Sequence, residues 1–98
     1  MDKEQETQLF EEAIAYFGDT SQKIMVIEEM SELIKELCKD LRERGNVENI
    51  AEEVADVEIT LAQIKKIYDI EDAVTKQRDF KLNRFKNRII ELKKTGGK

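Results

Sequence analysis

Apolar residues return at helical spacing along almost the whole chain. Between Lys3 and Phe17 the positions Leu9, Phe10, Ala13, Ile14 and Phe17 recur every three or four residues, the period that places side chains on one side of an α-helix. Gly18 follows where a C-terminal cap belongs, so a first helix is predicted to end there. Asp19, Thr20 and Ser21 are N-capping residue types, and beyond them Ile27, Met30, Ile34, Leu37 and Leu41 alternate at spacings of three and four. That predicts a second helix over roughly 21–44, stopping at Gly45. Asn46 is an N-cap for a third helix with the stripe Ile50, Val54, Val57, Leu61, Ile64 and Tyr68. The pattern breaks at Asp69. Asp69, Glu71 and Asp72 suit the first turn of a fourth helix, where carboxylates meet the positive end of the helix dipole. Leu82, Phe85, Ile89 and Leu92 carry that helix into a tail expected to fray over 93–98.

Short connections favour antiparallel neighbours. The expected fold is therefore all-α: one domain over 1–98, an antiparallel four-helix bundle in which helices 1 and 4 pack around a hairpin of helices 2 and 3. Ninety-eight residues lie near the lower end of what buries a self-sufficient core, so the bundle is expected to complete its core by oligomerisation. Helix 3 carries Ala55, Ile59 and Ala62 on a second side, and that side is expected to meet a partner subunit.

Composition agrees and narrows the setting. The chain is 40% hydrophobic and 40% charged with no proline, as amphipathic helices require. A single cysteine makes no internal disulfide, no window reaches the length of a membrane span, and MDKEQETQ has no apolar signal segment. A cytoplasmic, membrane-free protein is expected. Cys38, on the apolar side of helix 2, reads as a buried structural thiol, and Phe10, Tyr16, Phe17 and Tyr68 read as core aromatics.

The net charge of −5 hides an asymmetry. Residues 1–72 hold 20 acids against 8 bases, whereas residues 73–98 hold 2 acids against 9 bases. The basic tail would suit a polyanion, but the acidic body opposes one, so no nucleic-acid partner is expected.

Two acidic clusters stand out, "IEEMSEL" at 27–33 and "EEVADVE" at 52–58. At about 100° per residue, Glu29 and Glu32 project together from helix 2, and so do Glu53 and Asp56 from helix 3. The first pair faces away from the Ile27–Leu41 stripe and could be ordinary solvated surface. The second pair flanks the stripe of helix 3, where little open water is expected. Carboxylates crowded there raise one another's pKa unless a cation joins them. With no histidine in the chain, hard oxygen donors favour Mg²⁺ or Mn²⁺ over zinc or a di-iron centre, and Ser-His or Cys-His nucleophile chemistry is excluded. Spacing alone favours solvated faces and surface ion pairs over a metal site. On helix 4, Lys81, Arg84 and Arg88 share one side, a phosphate-binding array or a plain solvated basic face.

"EEMSEL" followed by "EEVADV" resembles the E-E-x-x-E and E-x-x-D motifs of the all-α NTP pyrophosphatases, in particular the MazG-like nucleotide pyrophosphohydrolases. The "YFGDTSQ" lead-in and the basic "KLNRFKNR" segment also fit, and the likeness covers roughly residues 10–90. The resemblance implies Glu29, Glu32, Glu53 and Asp56 as Mg²⁺ ligands and catalytic acids, with Glu28 accessory. It implies Lys81, Arg84, Arg88 and Gln22 at the substrate, and hydrolysis of the α–β phosphoanhydride of a nucleoside triphosphate by a homodimer or homotetramer. For Gln22 a capping or surface role competes. Relatives of the same fold act specifically on dUTP, dCTP or phosphoribosyl-ATP. A different class also suits the pattern: a non-catalytic helical adaptor whose acids are only surface.

Overall fold

The computed structural model describes residues 1–96, and over these the chain forms four α-helices: α1 Lys3–Phe17, α2 Asp19–Leu41, α3 Val47–Tyr68 and α4 Glu71–Lys94. Local chemistry fixes the ends. Asp2 and Gln5 form a reciprocal capping box at the start of α1, each side chain accepting from the other's backbone N–H at 2.8 Å. Asn46 Oδ1 accepts from the N–H groups of Glu48 and Asn49 at 2.9 and 3.2 Å, as its position ahead of α3 predicts. Gly18 does two jobs at once: its N–H caps Ile14 while its carbonyl accepts from Gln22, at a φ of 87° that disfavours any residue with a Cβ. α2 therefore begins at Asp19, two residues before the predicted start, with a single residue joining it to α1. Gly45 is needed for closeness, since a Cβ there would lie 2.7 Å from the Cα of Asp40.

α2 and α3 form an antiparallel hairpin, the main packing unit, and α1 lies against both. α4 departs from the expected bundle. It meets α3 near their connection, where Lys66 pairs with Glu71 at 3.9 Å, and over the described residues it does not pack against α1 or α2. Lys93 and Lys94 continue α4 as helix, so fraying over 93–94 is not observed, and 97–98 lie outside the described residues. The Cα radius of gyration is 17.3 Å, against about 13 Å for a compact chain of this length.

The face that α2 turns to α3 is not its apolar stripe. Gln22 and Val26 are buried and Glu29, Leu33 and Glu36 half-buried, a stripe of three- and four-residue steps. The apolar stripe Ile27–Leu41 lies roughly a quarter turn further round the helix, with Ile34 61% and Leu41 83% exposed. α3 shows a smaller rotation. Glu53, Val57, Thr60 and Ile64 face α2, while Val54, Leu61 and Tyr68 remain exposed. Cys38, expected to be buried, is exposed along with the α2 stripe, and so are Tyr16, Phe17 and Tyr68. Phe10 alone of those aromatics is half-buried; with Glu6 it borders Ala55, Ile59 and Ala62, so part of the second side of α3 is walled by α1 of the same chain.

Candidate functional site

The hairpin seam sets amides, a hydroxyl and carboxylates among Val26, Leu33, Val57 and Ile64, where a helical pair of this length ordinarily buries mainly aliphatic side chains. Thr60 satisfies itself by donating to the carbonyls of Asp56 and Val57 at 3.0 and 3.1 Å. Gln22 is 1% exposed and its Oε1 has no partner, so the surface role is ruled out for this side chain.

Midway along the seam, Glu29 of α2 meets Glu53 and Asp56 of α3. One carboxylate oxygen from each lies within 4.8 Å of the others, a separation suited to sharing one cation. Glu29 and Glu53 are half-buried and Asp56 exposed, so the group has a sheltered floor and an open lip. Glu53 Oε2 is inaccessible to water and has no hydrogen-bond partner. Loss of water raises the Glu29 carboxyl above its ordinary range, with the Asp56 charge and a shared hydrogen bond to Asp56 adding to the effect. Burial raises Glu53 in the same direction, followed by the charges of Asp56, Glu32, Glu52 and Glu36.

These residues fit a hard divalent cation. The donors are all oxygen, two carboxyls resist ionising without added positive charge, and an orphaned carboxylate oxygen sits at the floor. An adjoining cleft of about 220 Å³ is lined by Met25, Glu29, Asp56, Ile59, Thr60 and Gln63. A larger open groove along α1, bordered by Leu9, Ala13, Tyr16 and Phe17, carries little that could do chemistry.

Of the four acids predicted as ligands, three converge. Glu32 is exposed and outside the 4.8 Å group, though near enough for its charge to act on Glu29 and Glu53. Glu28 is exposed and also outside it. Lys81, Arg84 and Arg88 do share a surface, a groove with Phe85, but it belongs to α4 and is separate from the carboxylate cleft. The sequence reading missed Met25, Thr60 and Gln63. Asp56, Thr60 and Gln63 follow one another at spacings of four and three, a signal of a shared face that the neighbouring apolar stripe obscured. Glu36 was missed as well: half-buried on the same face of α2, it pairs with Lys39 at 3.3 Å.

No family model matches this chain, and comparisons with curated proteins and with solved structures likewise find no match.

Proposed function

We propose that the chain is a Mg²⁺-dependent nucleoside triphosphate pyrophosphohydrolase, cleaving the α–β phosphoanhydride to give a monophosphate and pyrophosphate, and working as a homodimer or homotetramer. The supporting observation is the convergence of Glu29, Glu53 and Asp56 from two helices on one point, with Glu53 Oε2 left unpaired. The motif resemblance of "EEMSEL" and "EEVADV" supplies the reaction class.

In this reading Glu29, Glu53 and Asp56 hold the cation, with Mn²⁺ as a substitute. When bound, the ion supplies charge that polarises the phosphoanhydride and lowers the pKa of the attacking water. The chain's own residues do the rest. Glu53, at the sheltered floor, anchors the site, and Asp56, at the open lip, faces the side from which substrate arrives. One of these carboxylates accepts the proton of the attacking water. Met25 and Ile59 give the cleft an apolar flank against which a sugar or base can rest. Release of pyrophosphate from a panel of NTPs and dNTPs with Mg²⁺ or Mn²⁺ tests the reading. Turnover by the wild type, abolished in Glu53→Gln and Asp56→Asn with helicity intact, is the expected result; no release from any member of the panel would reject it.

The adaptor reading has one observation in its favour, the long exposed apolar stripe of α2. Absence of any calorimetric response to Mg²⁺ or Mn²⁺, with or without a nonhydrolysable nucleotide, would select it.

A further inference from the structure

Among the described residues four side chains are buried, and three of them, Gln22, Thr60 and Gln63, are polar. Gln63 follows Asp56 on α3 by seven residues, and Gln22 precedes Glu29 on α2 by seven. Seven residues make nearly two helical turns, so each amide shares the face of its carboxylate and stands about 10 Å from it along the axis. In an antiparallel hairpin both steps run toward the same end. The polar part of the seam is therefore a strip that starts at the carboxylates and ends at a pair of buried amides.

Gln63 is the amide of that strip that meets open space. Though only 6% exposed, it lines the cleft of about 220 Å³ together with Glu29 and Asp56, between the apolar walls Met25 and Ile59. Thr60, also on the wall, spends its proton on the carbonyls of Asp56 and Val57 and has only lone pairs to offer. Carboxylates that hold a cation are acceptors alone. The Gln63 carboxamide is thus the one side-chain group on the wall with a donor and an acceptor side by side.

Chemistry narrows what fits there. A phosphate chain held at the carboxylates brings no donor for the amide oxygen, and an apolar group would leave both ends of the amide unpaired. A nucleobase carries a donor next to an acceptor on its pairing edge and apolar faces for Met25 and Ile59. Its pentose holds it away from the phosphates, as Gln63 stands away from the carboxylates along the strip.

We infer that Gln63 reads the base: its carboxamide hydrogen-bonds the pairing edge of a nucleobase while the triphosphate lies at Glu29, Glu53 and Asp56. This assignment rests on the chain being a nucleoside triphosphate pyrophosphohydrolase, and it adds that a bare triphosphate is discriminated against by a residue outside the cation ligands.

Titration calorimetry with Mg²⁺ is the test, using the α,β-methylene analogues of UTP, CTP, ATP and GTP and a methylene-bridged triphosphate that carries no nucleoside. At least one nucleotide analogue is expected to bind the wild type more tightly than the bare triphosphate. Gln63→Met, similar in shape, is expected to weaken that nucleotide by about 5- to 150-fold, the weight of a polar group buried without its partner, and to leave the bare triphosphate unchanged. A merely structural role for Gln63 would weaken both ligands alike. Should Gln63→Met lose helicity by circular dichroism, Gln63→Glu, which keeps the acceptor and loses the donor, replaces it with the same expectation. Equal affinity of the wild type for the bare triphosphate and every nucleotide overturns the assignment, as does a variant that weakens both ligands alike or neither. The catalytic reading fails by a different sign: base-dependent binding that Gln63→Met removes, with no pyrophosphate released from the hydrolysable nucleotides, leaves Gln63 as the base reader of a binding protein.

Discussion

Glu29 on α2 and Asp56 on α3 present carboxylate oxygens within 4.8 Å of each other across the hairpin, beside Glu53. Because the Glu29 and Glu53 carboxyls are raised above the ordinary value of 4.5, the native chain holds more protons than the unfolded chain at pH values between that value and the raised ones. Stability contributed by these groups therefore falls as pH rises through that window and is regained as pH falls. Without divalent cations, the thermal midpoint is expected to rise on going from pH 7 toward about pH 5. Glu53→Gln should show a shallower slope than the wild type and a higher midpoint at pH 7. Thermal melts of both proteins across this range decide it; an identical slope in the variant would mean the cluster does not titrate as described.

Under the proposed function a cation relieves the same repulsion. Mg²⁺ at about a hundred times its dissociation constant would then contribute ~2.7 kcal/mol to the native state, a rise in midpoint on the order of 10 °C for a domain of this size. The wild type should show this shift, and Asp56→Asn and Glu53→Gln should lose most of it. Differential scanning fluorimetry with Mg²⁺, and with K⁺ at matched ionic strength, separates binding from screening.

The helix ends at Gly18 and Asn46 are legible in the sequence because capping is local, each working within four residues of itself, whereas α2 stops at Leu41, three residues short of the expected 44. Which way each helix faces is not legible. The side of α2 that meets α3 holds Gln22, Glu29 and Glu36, whereas Ile34 and Leu41 of the apolar stripe lie outside it. A periodic stripe says that something apolar is met, without saying whether it belongs to the same chain. The likeness of the two acidic clusters points to their pairing, and a helical wheel groups Glu32 with Glu29, whereas the hairpin brings only Glu29 within 4.8 Å of Glu53 and Asp56. The separation of α4 from the cleft lies beyond any local signal.

Gln22 buries an amide oxygen without a partner. An unpaired buried polar group costs about 1–3 kcal/mol, so Gln22→Met, similar in shape, is expected to raise stability by on the order of 1 kcal/mol. Chemical denaturation of the two proteins measures this directly. If the amide instead serves the nucleotide, the same variant gains stability while losing affinity for a nonhydrolysable triphosphate, which titration calorimetry resolves.

Lys81, Arg84 and Arg88 lie apart from the carboxylates within the chain. Arg84→Ala and Arg88→Ala should thus leave the Mg²⁺-induced thermal shift unaltered. A change in Mg²⁺ response would show that α4 reaches the carboxylate cluster.

Val26, 8% exposed, is the one buried apolar side chain among the described residues, against three buried polar ones, Gln22, Thr60 and Gln63. Exposure of apolar surface raises the heat capacity of unfolding and exposure of polar surface lowers it. An isolated chain with such an interior should therefore unfold with an unusually small heat-capacity increment, and its stability should vary little with temperature. Calorimetry across a range of protein concentrations would then turn the increment into a gauge: whatever it gains per chain as concentration rises measures the apolar surface that only neighbouring molecules can close.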